Sequence, residues 1–168
     1  MRVLLVGGGC RGRALTRELL ADGHAVRAVT RAEAGRAAIE ELGAECWIGD
    51  PDVVGTLRYA LENVTVVVWA LGTAAGSDSS VAALHGPRLE MMLNKITDTT
   101  VRGVVYEAAG TAGAATFESG IAELERARRT NEIPYAVIDA DPGDEPAWVE
   151  AARDAIDGLI GVRRDQLG

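Results

Sequence analysis

The sequence predicts an α/β fold, a Rossmann-type doubly wound sheet of about six parallel strands with helices on both faces. Three observations carry that expectation. Strand-like and helix-like segments alternate along the whole chain, as parallel strands joined by crossover helices do. Val64 to Ala70 is a continuous β-branched run, the composition of a central strand covered on both sides. The chain also opens with Val3-Leu4-Leu5-Val6, an apolar strand running straight into the glycine loop Gly7-Gly8-Gly9-Cys10-Arg11-Gly12.

The elements follow in order. A helix-like segment from Arg13 to Ala21 is closed by Asp22-Gly23, and Ala25 to Thr30 is the second strand. Ala32 to Leu42 is predicted as a helix stopped by Gly43, and Glu45 to Ile48 as a short third strand. Pro51 suits the first position of a helix running to Glu62. After the central strand, the small-residue loop Leu71 to Ser80 leads to a helical region interrupted at His85-Gly86-Pro87 and resuming through Ile96. Val101 to Glu107 is the fifth strand, followed by a second small-residue loop, Ala108 to Ala115. A helix from about Phe117 to Thr130 carries Glu118 in its first turn and Arg126, Arg128 and Arg129 in its last, the charge order that suits the helix dipole. Tyr135 to Asp139 is the sixth strand and Ala147 to Leu159 a terminal helix.

Composition narrows the class. At 168 residues the whole chain, 1–168, is expected to form one domain, with no room for a separate substrate domain. With 48% hydrophobic and 25% charged residues it reads as globular. The longest apolar stretch is far short of the roughly 20 residues of a membrane span, and the first residues already read as a strand, so neither a membrane association nor a signal peptide is expected. The formal net charge of −8 argues against a nucleic-acid partner. Cys10 and Cys46 lack the spacing of a disulfide framework or a zinc site, so no metal is expected and a reducing cytoplasm fits.

The chemistry lies at the strand exits, because open α/β sheets bind ligands outside the carboxyl ends of their strands. Gly7, Gly9 and Gly12 fit G-x-G-x-x-G. The first glycine makes a tight turn, the second lets backbone approach a pyrophosphate, and the third lets helix pack on strand. Cys10 belongs to the same loop; as a small packing residue or as a reactive thiol near a helix N-terminus, it has two readings. Arg11 and Arg13 fall in the first helical turn, where the dipole disfavours cations and a bound phosphate would remove the conflict; solvation is the alternative for both. About 20 residues on, the position that carries an acid in NAD-binding sites holds Thr30-Arg31. A guanidinium there suits a 2′-phosphate, so NADP(H) is preferred over NAD(H), unless Glu33 reaches the ribose instead. Asp50 would accept from the adenine amino group or cap the following helix. Ala70, Leu71 and Gly72 form the exit of the central strand and complete the expected coenzyme contacts.

Taken jointly, these segments resemble the single-domain NAD(P)H-binding proteins of the atypical short-chain dehydrogenase/reductase group, including NmrA-like regulators and small flavin or quinone reductases. The likeness runs through Val3 to Gly12, the turn at residues 22–26, Thr30-Arg31, Gly43-Ala44-Glu45 with Gly49-Asp50, Ala70-Leu71-Gly72, and Ile133-Pro134-Tyr135 leading to Asp141-Pro142-Gly143. Active members use a Tyr-x-x-x-Lys pair for proton transfer. The resemblance places those positions at Phe117 and Ile121, which carry no proton, and periodicity puts Phe117, Ile121 and Leu124 on one apolar helix face. The family's serine near the fifth strand's exit is replaced by Glu107 or a following alanine, and its arginine after the sixth strand by Asp139. Glu107, Asp139, Asp141, Asp144 and Glu145 make that side acidic, with Glu107 a candidate acid or base and solvated loop charges the alternative. Tyr106 and Tyr135 read as core, and neither His24 nor His85 has a paired nucleophile or ligand spacing.

The expected function is therefore an NADP(H)-binding protein with reduced or absent dehydrogenase activity, a redox sensor or accessory subunit with a protein partner or a second copy of itself. A reductase of flavin, quinone or small carbonyl substrates is the alternative, because hydride transfer is largely the coenzyme's chemistry. A third reading is a partner protein that binds no nucleotide.

Overall fold

A computed structural model describes residues 1–166, with side chains described through residue 161. Six strands, β1 (Arg2–Gly7), β2 (Ala25–Thr30), β3 (Glu45–Ile48), β4 (Val66–Ala70), β5 (Gly103–Glu107) and β6 (Tyr135–Ile138), form one sheet. Their order is β3-β2-β1-β4-β5-β6 and every pairing is parallel. The order reverses between β1 and β4, which pair from Val3↔Val66 to Gly7↔Ala70. The connections that follow β1 and β4 run outward from that seam in opposite directions and leave a crevice at its carboxyl end.

The helices are α1 (Gly9–Ala21), α2 (Arg36–Glu41), α3 (Asp78–His85), α4 (Pro87–Ile96), α5 (Ala114–Asn131) and α6 (Glu145–Gln166). Alternation along the strands divides the core into two layers. Leu4, Val6, Val67, Trp69, Val104 and Tyr106 face α3, α4 and α5. Val3, Leu5, Val66, Val68, Val105 and Ile138 face α1, α2 and α6. Every residue of β4 and β5 is buried, which accounts for the unbroken apolar reading of both.

The structure corrects one predicted element. Residues 51–62 do not form an α-helix but two short 3-10 turns, Val54–Leu57 and Tyr59–Leu61. The Thr56 hydroxyl donates to the Val53 carbonyl at 2.7 Å and accepts from the Asp50 amide at 2.8 Å, so a side chain competes with the helical ladder. Asp50 therefore does not cap a helix. Its Oδ1 accepts from the Asp52 amide at 2.9 Å, closing a turn instead. The predicted helix over 32–42 begins with a 3-10 turn, Glu33–Gly35, before α2. Strand β4 starts two residues later than expected: the Val64 amide bonds the Leu61 carbonyl and the Val64 carbonyl accepts from Thr100, which takes that residue out of the ladder.

Candidate dinucleotide site

Strand β1 delivers three successive glycines with left-handed backbone, Gly7 (φ 84°), Gly8 (φ 94°) and Gly9 (φ 52°), to the start of α1. Only glycine adopts such a run without strain. A Cβ at Gly7 would overlap the Ala70 carbonyl oxygen, and one at Gly12 would lie 3.0 Å from the Gly7 carbonyl, so both positions are closed by protein. At Gly9 a Cβ would meet nothing within 4 Å. The loop is thus packed on two sides and open on the third, beside the first-turn amides of α1 that no helical carbonyl can satisfy.

That open side faces a cavity of about 290 Å³ bounded by Gly7 to Gly9, Val29 near the end of β2 and Arg31 just after it, Pro51, and Ala70, Leu71 and Thr73 to Ala75 at the β4 exit. A second cavity of about 220 Å³ shares Gly7, Gly9 and Val29 and is lined further by Arg13, Thr30 and Gly35. A third, of about 510 Å³, continues past Ala74 and Ala75 to Asp78 and Thr116. A groove of about 1020 Å³ around Arg58, Asn63 and Lys95 lies at the amino ends of β4 and β5, the wrong edge of the sheet for a ligand of this fold.

At the β2 exit, exposed Arg31 sits 3.3 Å from Asp50 and 3.3 Å from Asp52. Asp50 thus faces a guanidinium. Glu33, the rival for the ribose, is held at 2.7 and 2.9 Å by Arg36, whose hydrogen bonds keep its carboxyl below the usual range. The Thr30 side chain is left beside the 220 Å³ cavity.

Glu107 is not in an acidic cluster. It is fully buried, and its two oxygens accept four hydrogen bonds: Arg11 Nε at 2.8 Å and Nη2 at 2.7 Å, the Gly72 amide at 2.7 Å, and Trp148 Nε1 at 2.7 Å. The conflict between Arg11 and the helix dipole is thus relieved inside the protein, by a carboxylate. The Arg11 guanidinium also lies 5.3 Å over the Trp148 ring. Neither Arg11 nor Gly72 turns its donor to the crevice. Asp139, Asp141, Asp144 and Glu145 are all exposed; Asp141 closes a turn onto the Gly143 amide and Asp144 caps α6 through the Ala147 amide.

A second buried polar cluster had no signal in the sequence. His85 ends α3 with no solvent exposure, its Nε2 3.1 Å from the Leu71 carbonyl and its Nδ1 2.6 Å from the Tyr106 hydroxyl. A carbonyl only accepts, so Nε2 carries the hydrogen and the phenol donates to Nδ1. Burial pushes the imidazole pKa down and the Tyr106 phenol up. Room for the hydroxyl comes from Gly120, where any Cβ would overlap it. Phe117 is buried edge-on against His85, with ring centroids 5.4 Å apart, and Ile121 packs against the same core. Leu71, whose carbonyl this cluster holds, is buried at the cavity wall, and the Ala70 carbonyl packs under Gly7. Cys10 is exposed and accepts from Arg13 Nη2 at 3.1 Å. Among the described residues no group of three or more histidines, cysteines and acids could hold a metal, and no helix is long and apolar enough to cross a membrane.

Comparison with known proteins agrees with this geometry. A family model described as NAD(P)H-binding matches residues 7–128. Photosystem II assembly factor Ycf39 from Synechocystis sp. is 40% identical over 80 residues, 47% of this chain and 24% of that protein. UDP-glucuronic acid 4-epimerase from Bacillus cereus in complex with NAD superposes with a TM-score of 0.65 at 15% identity, over 82% of this chain and 54% of that one. Triphenylmethane reductase from Citrobacter sp. complexed with NADP(H) gives 0.60 at 20% identity, over 81% and 48%. At such identities the likeness is one of fold. This chain spans about half the length of the two structures and about a quarter of the curated relative.

Proposed function

The chain belongs to the NAD(P)H-binding family, and from that premise we propose that it holds NADP(H) at the β1–β4 seam and acts as a redox sensor or accessory subunit rather than a dehydrogenase. The observation that carries the reading is the loop Gly7 to Gly9, closed by protein on two sides and open at Gly9 toward a cavity at the point of strand-order reversal. In this reading Gly7, Gly9, Cys10 and Gly12 shape the diphosphate cradle, and the first-turn amides of α1 supply the donors. Arg11 serves the site indirectly, by bracing the helix that carries the cradle. Thr30 and Arg31 face the ribose, Asp50 and Pro51 border the adenine end, and Ala70 and Leu71 form the floor, with Gly72 behind it bonded to Glu107. Sequestering Glu33 on Arg36 supports NADP(H) over NAD(H), because the acid that would hold a free 2′-hydroxyl is engaged elsewhere.

The bound coenzyme would supply a hydride. The two positions at which the resemblance places the proton-transfer pair, Phe117 and Ile121, are apolar, and Glu107 is fully engaged and lines none of the cavities around the glycine loop. The Synechocystis relative is named as an assembly factor, which supports an accessory role. The 510 Å³ cavity beside the coenzyme site favours a second reading, a reductase whose acceptor needs no protein acid, such as a flavin or quinone.

Calorimetric titration with NADPH, NADH and their oxidised forms tests the first premise, and heat with none of them removes it. Gly9→Leu places a side chain in the open space and is expected to abolish that heat, while its left-handed backbone costs about 1–2 kcal/mol of stability. NADPH consumption with a panel of flavin, quinone and carbonyl acceptors separates the two readings: turnover lost in Gly9→Leu establishes the reductase.

A further inference from the structure

We propose that Arg13, at the cavity behind the β2 exit, is the residue that selects the 2′-phosphate; this rests on the NADP(H) reading above. Arg31 occupies the expected place but faces two carboxylates, Asp50 and Asp52, each 3.3 Å away. One guanidinium between two carboxylates leaves the spot net negative. A 2′-phosphate brings roughly another −1.5 to −2 charges. Arg31 alone therefore does not attract it, and a second, uncompensated cation is required.

Arg13 is that cation. It is exposed, its described polar contact is the Cys10 sulfur at 3.1 Å, and no carboxylate among the described residues lies within 4.0 Å of it. Arg17, Arg58, Arg88, Lys95 and Arg102 are likewise in no ion pair among the described residues, but of these cations Arg13 alone lines one of the three cavities around the glycine loop. It lines the 220 Å³ cavity together with Thr30, the last residue of β2, while Arg31 lines the adjoining 290 Å³ cavity, and Gly7, Gly9 and Val29 form the wall common to both. The two arginines thus border adjoining cavities at the β2 exit, and an acidic ribose substituent placed there meets Arg13 with its charge unspent. A phosphate would also relieve the cation's unfavourable place near the positive end of α1.

The experiment is calorimetric affinity for NADPH and NADH in the unmutated protein and in Arg13→Ala, Arg31→Ala and Asp52→Asn. Arg13→Ala is expected to weaken NADPH by about tenfold to a hundredfold, the loss of a charge-assisted contact, and to change NADH less than about twofold. Arg31→Ala is expected to cost NADPH less than Arg13→Ala does. Asp52→Asn is expected to tighten NADPH. A NADPH-to-NADH ratio in Arg13→Ala within about twofold of the unmutated protein overturns the assignment, as does a larger loss in Arg31→Ala. An unmutated protein that binds NADH as tightly as NADPH, or binds neither, instead removes the coenzyme reading on which this one stands, so the two failures are told apart before any variant is made.

Discussion

Glu107 shows at the scale of one residue how chemistry that looks reactive in a sequence becomes structural in a fold. Its four donors come from α1, the β4 exit and α6, so one carboxylate ties together three segments around the crevice. Removing its charge leaves the Arg11 guanidinium buried without a counter-ion. Glu107→Gln is expected to cost about 3–5 kcal/mol in urea unfolding. His85 gives a pH prediction. Burial is the main force holding its pKa below the ordinary 6.5, opposed by the Leu71 carbonyl and the Glu107 charge. The unfolded chain then takes up a proton at a pH where the folded chain does not, so stability is full above 6.5 and falls as pH drops through the unfolded value toward the folded one. Unfolding free energies from urea titrations between pH 7.5 and 5.5 are expected to fall by less than about 1.4 kcal/mol per pH unit from this group, and that part of the slope disappears in His85→Gln.

Among the elements, the proposed coenzyme contrast turns on the segment from β2 through α2. The 3-10 turn at Glu33–Gly35 puts Glu33 one turn before Arg36, within bidentate reach, and Arg36 also meets Glu40 at 3.3 Å. These exposed pairs contribute little to stability. Their effect is on direction, since they hold the Glu33 carboxylate on Arg36. Arg36→Ala is expected to leave the melting temperature nearly unchanged and to shift the NADPH-to-NADH affinity ratio toward NADH. An unchanged ratio would show that Glu33 does not reach the ribose even when freed.

The whole molecule is a sheet clasped by two helical layers, and the layer holding α1 and α6 matters most to the site. Trp148, Val149, Ala152, Ile156 and Leu159 bury one face of α6 against that layer, and Arg153 links it to Glu18 of α1 and to Asp22 just after that helix. Trp148 also supplies one of the Glu107 donors. Trp148→Ala is expected to cost about 3–5 kcal/mol and to weaken NADPH binding by loosening the α1 helix under the cradle. Denaturant unfolding and calorimetry on the same preparation check both effects. A stability loss with unchanged affinity would separate the brace from the binding site.

The order of elements, the all-parallel sheet and the placement of the glycine loop were legible because they depend on local patterns: unbroken apolar runs for β4 and β5, helical periodicity between them, and a glycine spacing that only a tight strand-to-helix turn requires. The segment at 51–62 misled because one hydroxyl, Thr56, redirects backbone hydrogen bonds that proline and composition otherwise commit to a helix. Arg11 was legible as a cation in a first turn, but its partner stands 96 residues away, and no local pattern encodes that pairing. The same holds for His85 with Tyr106, and for the two carboxylates that meet Arg31. Periodicity and turn chemistry act over a few residues and so are written in the sequence. Which charges neutralise one another, and which cations are left without a partner, depends on distances that exist only once the strands have been laid side by side.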